Sequence, residues 1–165
     1  MSRFASFCLA TILAIAFVAT TVQAEEITNE YFTLNVPQGW TKTAAPVQNG
    51  AVTVLLQSQK EMLVMTITVT PAPMPAKALA EQTAKNMKAG GIKVEQPVQQ
   101  GASYTVAFEQ PAKKVSGMSY FTSNGSKGSV ITMMAPIGAD GFAKAKEFLQ
   151  KNLKPADAKL FPVQY

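Results

Sequence analysis

From Phe32 onward apolar residues return at every second position, in run after run, and this two-residue period constrains the chain more than any other feature. In Tyr-Phe-Thr-Leu-Asn-Val (31–36) the apolar Phe32, Leu34 and Val36 alternate with Thr33 and Asn35, the signature of a strand with one face on a core. Pro37-Gln-Gly39 ends the ladder, because Pro lacks an N–H and Gly accepts positive φ, and delivers the only tryptophan, Trp40. Residues 41–50 hold Pro46 and an Asn49-Gly50 turn signal, and 51–58 repeats the alternation with Val52, Val54 and Leu56 on one face. The run 62–70 has Leu63, Met65, Ile67 and Val69 at one parity and Met62, Val64, Thr66 and Thr68 at the other, which predicts a central strand covered on both sides.

Further strands are expected at 103–109, 115–123 and 129–135, an antiparallel meander whose second hairpin turns at Asn124-Gly-Ser-Lys-Gly128. A weaker strand at 92–98 contains Pro97 and belongs near an edge.

Two stretches change to helical spacing. Pro71-Ala-Pro73-Met-Pro75 cannot continue a ladder and leads into a helix from Ala76. Its apolar face is Ala76, Leu79, Ala80, Thr83 and Met87, its polar face pairs Glu81 with Lys85, and Gly90-Gly91 ends it. Asp140 is the expected N-cap of a second helix with Phe142, Ala145, Phe148, Leu149 and Leu153 on its apolar face, Lys151 and Lys154 in its last turn and Pro155 as its stop. Leu160 and Phe161 are expected to dock on the core.

Ahead of this pattern lies a segment of another kind. Met1-Ser-Arg3 is basic, 4–20 is apolar and uncharged, and Val22-Gln-Ala24 precedes Glu25. Residues 1–24 therefore read as a signal peptide, removed after Ala24, and 25–165 as a single domain. A permanent anchor is the competing reading, since spanning needs about 18 to 20 apolar residues. The small-x-small site followed by Glu25 and Glu26 favours cleavage, which places the protein in the periplasm or outside the cell and discards Cys8.

The remaining chain is restrictive chemically. It contains no His, Cys or Arg and only two aspartates, Asp140 and Asp157. The fifteen basic residues less Arg3, set against ten acidic ones, leave a net charge of +4 with no block of like charges, the balance of a solvated surface rather than a nucleic-acid footprint. No disulfide can form in it. The usual base and thiol nucleophile are absent, so a Ser–Lys pair at Ser116 or Ser129 is the one nucleophilic arrangement left open. Glu61, Glu81, Glu95, Glu109 and Glu147 fall at turns or on polar faces and read as surface carboxylates. Zinc and copper sites lean on His and Cys, and Gly138-Ala-Asp-Gly141 lacks the spaced oxygen ligands of a calcium loop. Met62, Met65, Met133 and Met134 read as packing residues. Asn124-Gly-Ser126 matches a glycosylation acceptor but reads first as a hairpin turn. Trp40 reads as a hydrophobic anchor, and Tyr104 and Tyr120 as aromatics available to a partner surface. No catalytic, cofactor or metal residue is assigned, no cofactor is expected, and the binding residues are unknown.

The opening Phe32-Thr-Leu-Asn-Val-Pro-Gln-Gly-Trp40, followed by strands, a helix entered from a Pro-rich loop, a meander and a C-terminal helix, resembles the periplasmic DcrB-like proteins and the wider PsbP-like superfamily. The resemblance implies an α+β fold, an antiparallel sheet with helices packed on both faces in an α/β/α sandwich. It also implies a largely non-enzymatic role. PsbP is an accessory subunit of the oxygen-evolving photosystem, a eukaryotic relative binds the GTPase Ran, and DcrB-like members are envelope proteins, some lipid-anchored. No lipidation cysteine stands at the cleavage site here. The expected function is thus a non-catalytic envelope protein acting through contacts with another envelope protein. The alternative is a small-molecule or lipid carrier with an apolar cleft between sheet and helix. Neither nucleic acid nor a lasting membrane span is expected.

Overall fold

The computed structural model describes residues 25–45 and 47–165; the expected signal peptide, 1–24, lies outside the described residues. The strands are β1 (Glu25–Thr28), β2 (Phe32–Val36), β3 (Trp40–Ala44), β4 (Val52–Ser58) and β5 (Leu63–Pro71). Helix α1 (Ala76–Ala89) is followed by β6 (Lys93–Val94), β7 (Val98–Gln100), β8 (Ser103–Gln110), β9 (Val115–Ser123) and β10 (Lys127–Pro136). Helix α2 (Gly141–Asn152) and β11 (Leu153–Pro155) complete an α+β fold dominated by antiparallel sheet.

An eight-stranded sheet runs in the order β3-β4-β5-β10-β9-β8-β6, with β7 also on β8, and a three-stranded sheet runs β1-β2-β11. Burial follows the two-residue period: Val52, Val54 and Leu56, and then Leu63, Met65, Ile67 and Val69, are all buried. They join Phe32, Leu34, Trp40, Ile131, Met133, Phe148 and Leu149 in the main core, which the small sheet and α2 close. Neighbouring residues of the same strands go elsewhere. Phe121 and Val106 pack with Ala80 of α1 and with Val130, and Met87 packs with Ile92 and Phe108.

Several local expectations are corrected. Residues 41–44, read only as part of the connection between two strands, form with Trp40 the strand β3, antiparallel to β4 at the sheet edge. The second face of β5 is only half-covered at Val64, Thr66 and Thr68, and Met62 projects into solvent from a turn, at φ 48°. The stretch 92–98 is broken at Pro97 into β6 and β7, both paired with β8. In α1 Glu81 lies 3.8 Å from Lys77, not paired with Lys85. Asp140 precedes α2 but its side chain makes no cap bond; at φ −79°, ψ 24° it lacks the extended backbone that aims a cap at the first turn. The helix stops at Asn152, before Pro155, because Leu153–Pro155 leaves it to pair with Phe32–Leu34 on β2.

The C-terminal segment docks as expected. Leu160 and Phe161 are buried, and the Phe161 ring meets Phe32 edge-on at 5.8 Å. Beneath it the hydroxyls of Thr122 and Ser129, 2.7 Å apart, both approach the Leu160 carbonyl. A buried carbonyl leaving water needs such donors.

Candidate functional site

Three adjacent strands carry a half-exposed face with no charge on it. Registered pairing places Leu55, Thr66 and Thr132 in one row, Thr53, Thr68 and Val130 in the next, and Gln57, Val64 and Met134 in a third. All nine residues are half-buried. The cause is local: these strands spend their fully apolar parity on the main core, while α1 packs over β8, β9 and β6. Thr53 and Thr68 hydroxyls lie 3.2 Å apart and those of Ser119 and Thr132 2.8 Å apart. Pairing of hydroxyls across the ladder lowers the cost of removing this face from water. Such an array carries no titratable side chain.

Two depressions lie elsewhere. A groove of about 510 Å³ runs where the Pro-rich connector enters α1, beside Pro73, Met74, Pro75, Lys77, Tyr104 and Ser123. The Ser123 hydroxyl donates to the Met74 carbonyl at 2.8 Å and holds the connector to β9. A smaller cleft of about 120 Å³ is bordered by Lys93, Glu95, Phe108, Glu109, Ser116 and Phe142.

That cleft holds one of the two serines considered for nucleophilic chemistry, together with a lysine. Lys93, however, is 2.8 Å from Glu109, and the hydrogen bond to that carboxylate holds its pKa above the ordinary lysine value. A protonated ammonium does not accept a proton from Ser116. Ser129 is buried, and its hydroxyl is engaged by Thr122 and the Leu160 carbonyl.

The carboxylates remain dispersed: Glu61 pairs with Lys144, Glu109 with Lys93 and Glu147 with Lys151, and no group of three metal-ligating side chains forms among the described residues. Hydrogen bonding from these lysines lowers the pKa of Glu61 and Glu147. Met65 and Met133 are core residues, whereas Met134 is half-buried and Met62 exposed. Trp40 is buried against Phe148. Tyr120, expected at a partner surface, is buried in the main core under Tyr165, with ring centroids 5.5 Å apart; Tyr104 lines the connector groove. The Asn124 side chain is spent within its turn and on Asp157, in keeping with the turn reading of 124–126.

Sequence reasoning missed the uncharged face, although a signal was present. Threonine at 53, 66, 68 and 132 in the same register marks a parity that meets water, because a fully covered sheet face favours Val, Ile and Leu.

No helix among the described residues is long and apolar enough to cross a membrane. No family model matches the chain, and no curated protein does. Among solved structures it is similar to the solution structure of cyanobacterial PsbP (CyanoP) from Synechocystis, at TM-score 0.49 and 11% identity over 87% of this chain and 98% of that one. It is also similar to a crystal structure from Bacteroides thetaiotaomicron, at TM-score 0.43 and 12% identity over 83% of this chain and 50% of that one.

Proposed function

We propose that this chain is a DcrB-like, PsbP-like α/β/α sandwich that serves the periplasm as a non-catalytic accessory protein, docking another envelope protein on the uncharged face of β4, β5 and β10. The observation that carries this reading is the set of registered rows through Thr53, Thr66 and Thr132, which are half-exposed and free of charge. Charge depletion at the centre with a polar rim is the anatomy of a protein interface. The sandwich part of the reading is supported by the division of neighbouring residues, Ile131 with α2 and Val130 with α1, between two cores. The periplasmic part rests on the leader 1–24 and its cleavage pattern after Ala24. The absence of enzymatic activity rests on the missing His, on the confinement of the one cysteine, Cys8, to the leader and on the paired state of Lys93.

Site-specific photo-crosslinking in the native envelope tests it. A probe at Thr66 or Thr132 is expected to capture one recurrent protein, and a probe at Gln82 on exposed α1 is expected not to. Failure of both face positions to capture any protein, with the chain folded and abundant, overturns the reading.

The connector groove beside Met74 and Tyr104 favours a second reading, a small-molecule or lipid carrier. It predicts a ligand retained in native mass spectra of protein purified from its host; spectra showing the bare chain alone would remove it.

A further inference from the structure

The chain contains two Asn-Gly dipeptides, Asn49-Gly50 and Asn124-Gly125, and the fold treats them differently. In both, the glycine backbone nitrogen is sterically open, since no Cβ shields it. That nitrogen can attack the Asn side-chain carbonyl carbon: a C–N bond closes a succinimide ring, the side-chain amide nitrogen leaves as ammonia, and water reopens the ring to aspartate or isoaspartate. The reaction requires a free side-chain amide and a free glycine N–H.

Asn124 has neither. Its Oδ1 accepts from the Ser126 N–H at 3.1 Å, the Ser126 hydroxyl at 3.1 Å and the Lys127 N–H at 2.9 Å. Its Nδ2 donates to Asp157 Oδ2 at 2.8 Å, a charge-assisted bond. The nucleophile is occupied as well, because the Gly125 N–H donates to Ser123 Oγ at 3.0 Å. Attack at this position has to break several bonds together.

Asn49 is exposed at the tip of the β3–β4 hairpin, with φ 52° followed by Gly50 at φ 74°, the left-handed pair of a two-residue hairpin turn. The turn closes through Gln48 and Ala51, whose N–H and carbonyl groups bond each other. Among the described residues nothing hydrogen-bonds the Asn49 side chain or the Gly50 N–H.

We propose that Asn49 is a site of spontaneous deamidation and isoaspartate formation in the folded protein, and that the bonds to Ser126, Lys127, Asp157 and Ser123 protect Asn124 from the same chemistry. The modification adds a negative charge, and in the isoaspartyl product an extra backbone methylene, to a turn whose Gly50 carbonyl accepts the Tyr31 hydroxyl at 2.9 Å. It therefore acts on the contact that ties the hairpin to the small sheet.

The test is peptide mapping by mass spectrometry of folded protein held in mildly alkaline buffer, with a denatured sample as the reference for each dipeptide. Asn49 is expected to convert faster than Asn124 by about tenfold or more in the folded sample, as expected for the loss of a charged hydrogen bond and several neutral ones, and at a similar rate in denaturant. Asp157→Ala is expected to raise the Asn124 rate and leave Asn49 unchanged. Ser123→Ala, which frees the Gly125 N–H, is expected to do the same and serves if the first variant folds poorly. Equal rates at the two positions in the folded protein, or an Asn49 as inert as Asn124, overturn the proposal.

Discussion

The indole of Trp40 lies on the ring of Phe148, with centroids 4.3 Å apart and planes 32° from parallel. This contact joins the edge strand β3 to helix α2 through two residues more than a hundred positions apart in the chain. Trp40→Ala is expected to lower unfolding stability by about 3–5 kcal/mol, because a buried aromatic is removed and its cavity closes only in part. In a double-mutant cycle with Phe148→Ala the coupling should be about 0.5–1.5 kcal/mol. Denaturant unfolding of the four proteins measures both.

Two glycines separate rigid from compliant packing. A Cβ added at Gly117 would fall within the Phe108 ring, whereas one added at Gly128 would meet the end of the Leu79 side chain, Cδ1 at 2.5 Å. Phe108 is buried against Met87 and Ile92, whereas Leu79 is half-exposed and can change rotamer. Gly117→Ala should therefore cost about 1–3 kcal/mol and Gly128→Ala less, as read from thermal midpoints of the two variants.

The Leu160 carbonyl depends on Thr122 and Ser129. Removing both hydroxyls leaves a buried acceptor without a donor, so Thr122→Val with Ser129→Ala is expected to cost about 1–3 kcal/mol. Hydrogen exchange should show residues 156–165 opening before the β10 amides, a local loss that global unfolding alone would miss.

Two groups make stability depend on pH in opposite directions. Hydrogen bonds from Asn124 and from the Lys159 N–H hold the Asp157 pKa below the ordinary aspartate value. Its contribution is complete above the unfolded pKa and is lost as pH falls through the lower folded value. Burial of Tyr165 beside Tyr120 raises its pKa above the ordinary tyrosine value. That contribution is complete below the unfolded pKa and is lost as pH rises toward the folded one. Asp157→Asn should flatten the acid limb of a stability–pH curve, and Tyr165→Phe the alkaline limb.

Thr66, in the middle row of the uncharged face, belongs to none of the three hydrophobic clusters, to two of which Val130 and Met134 contribute. Thr66→Lys is expected to change stability by no more than about 0.5 kcal/mol. The same change should abolish capture of the proposed partner, because a lysine at an interface centre has to be desolvated without a counter-charge. Parallel unfolding and crosslinking measurements separate the two effects.

Strand positions with strict alternation were legible from the chain alone: Val52 to Leu56 and Leu63 to Val69 face the core as their period predicts. Each residue's side there follows from the pleat, whatever lies opposite. Three outcomes were not legible. Tyr120 is covered because Tyr165 folds back over it. Glu81 takes Lys77 over Lys85, a choice between two lysines at the same spacing that the sequence does not express. The second face of β5 remains half-open because α1 settles over β8 and β9.

By itself the sequence determined the two-residue and helical periods, the turns at Asn49-Gly50 and Asn124-Gly125, and the lack of His anywhere and of Cys beyond Cys8. These are properties of neighbouring residues and of side-chain chemistry. Tertiary structure alone decided that Trp40 meets Phe148, that the Leu160 carbonyl enters a pocket of two hydroxyls, and that an uncharged face stays half-exposed. Those outcomes depend on where distant segments of chain come to rest, and the burial that drives them has no direction along the sequence.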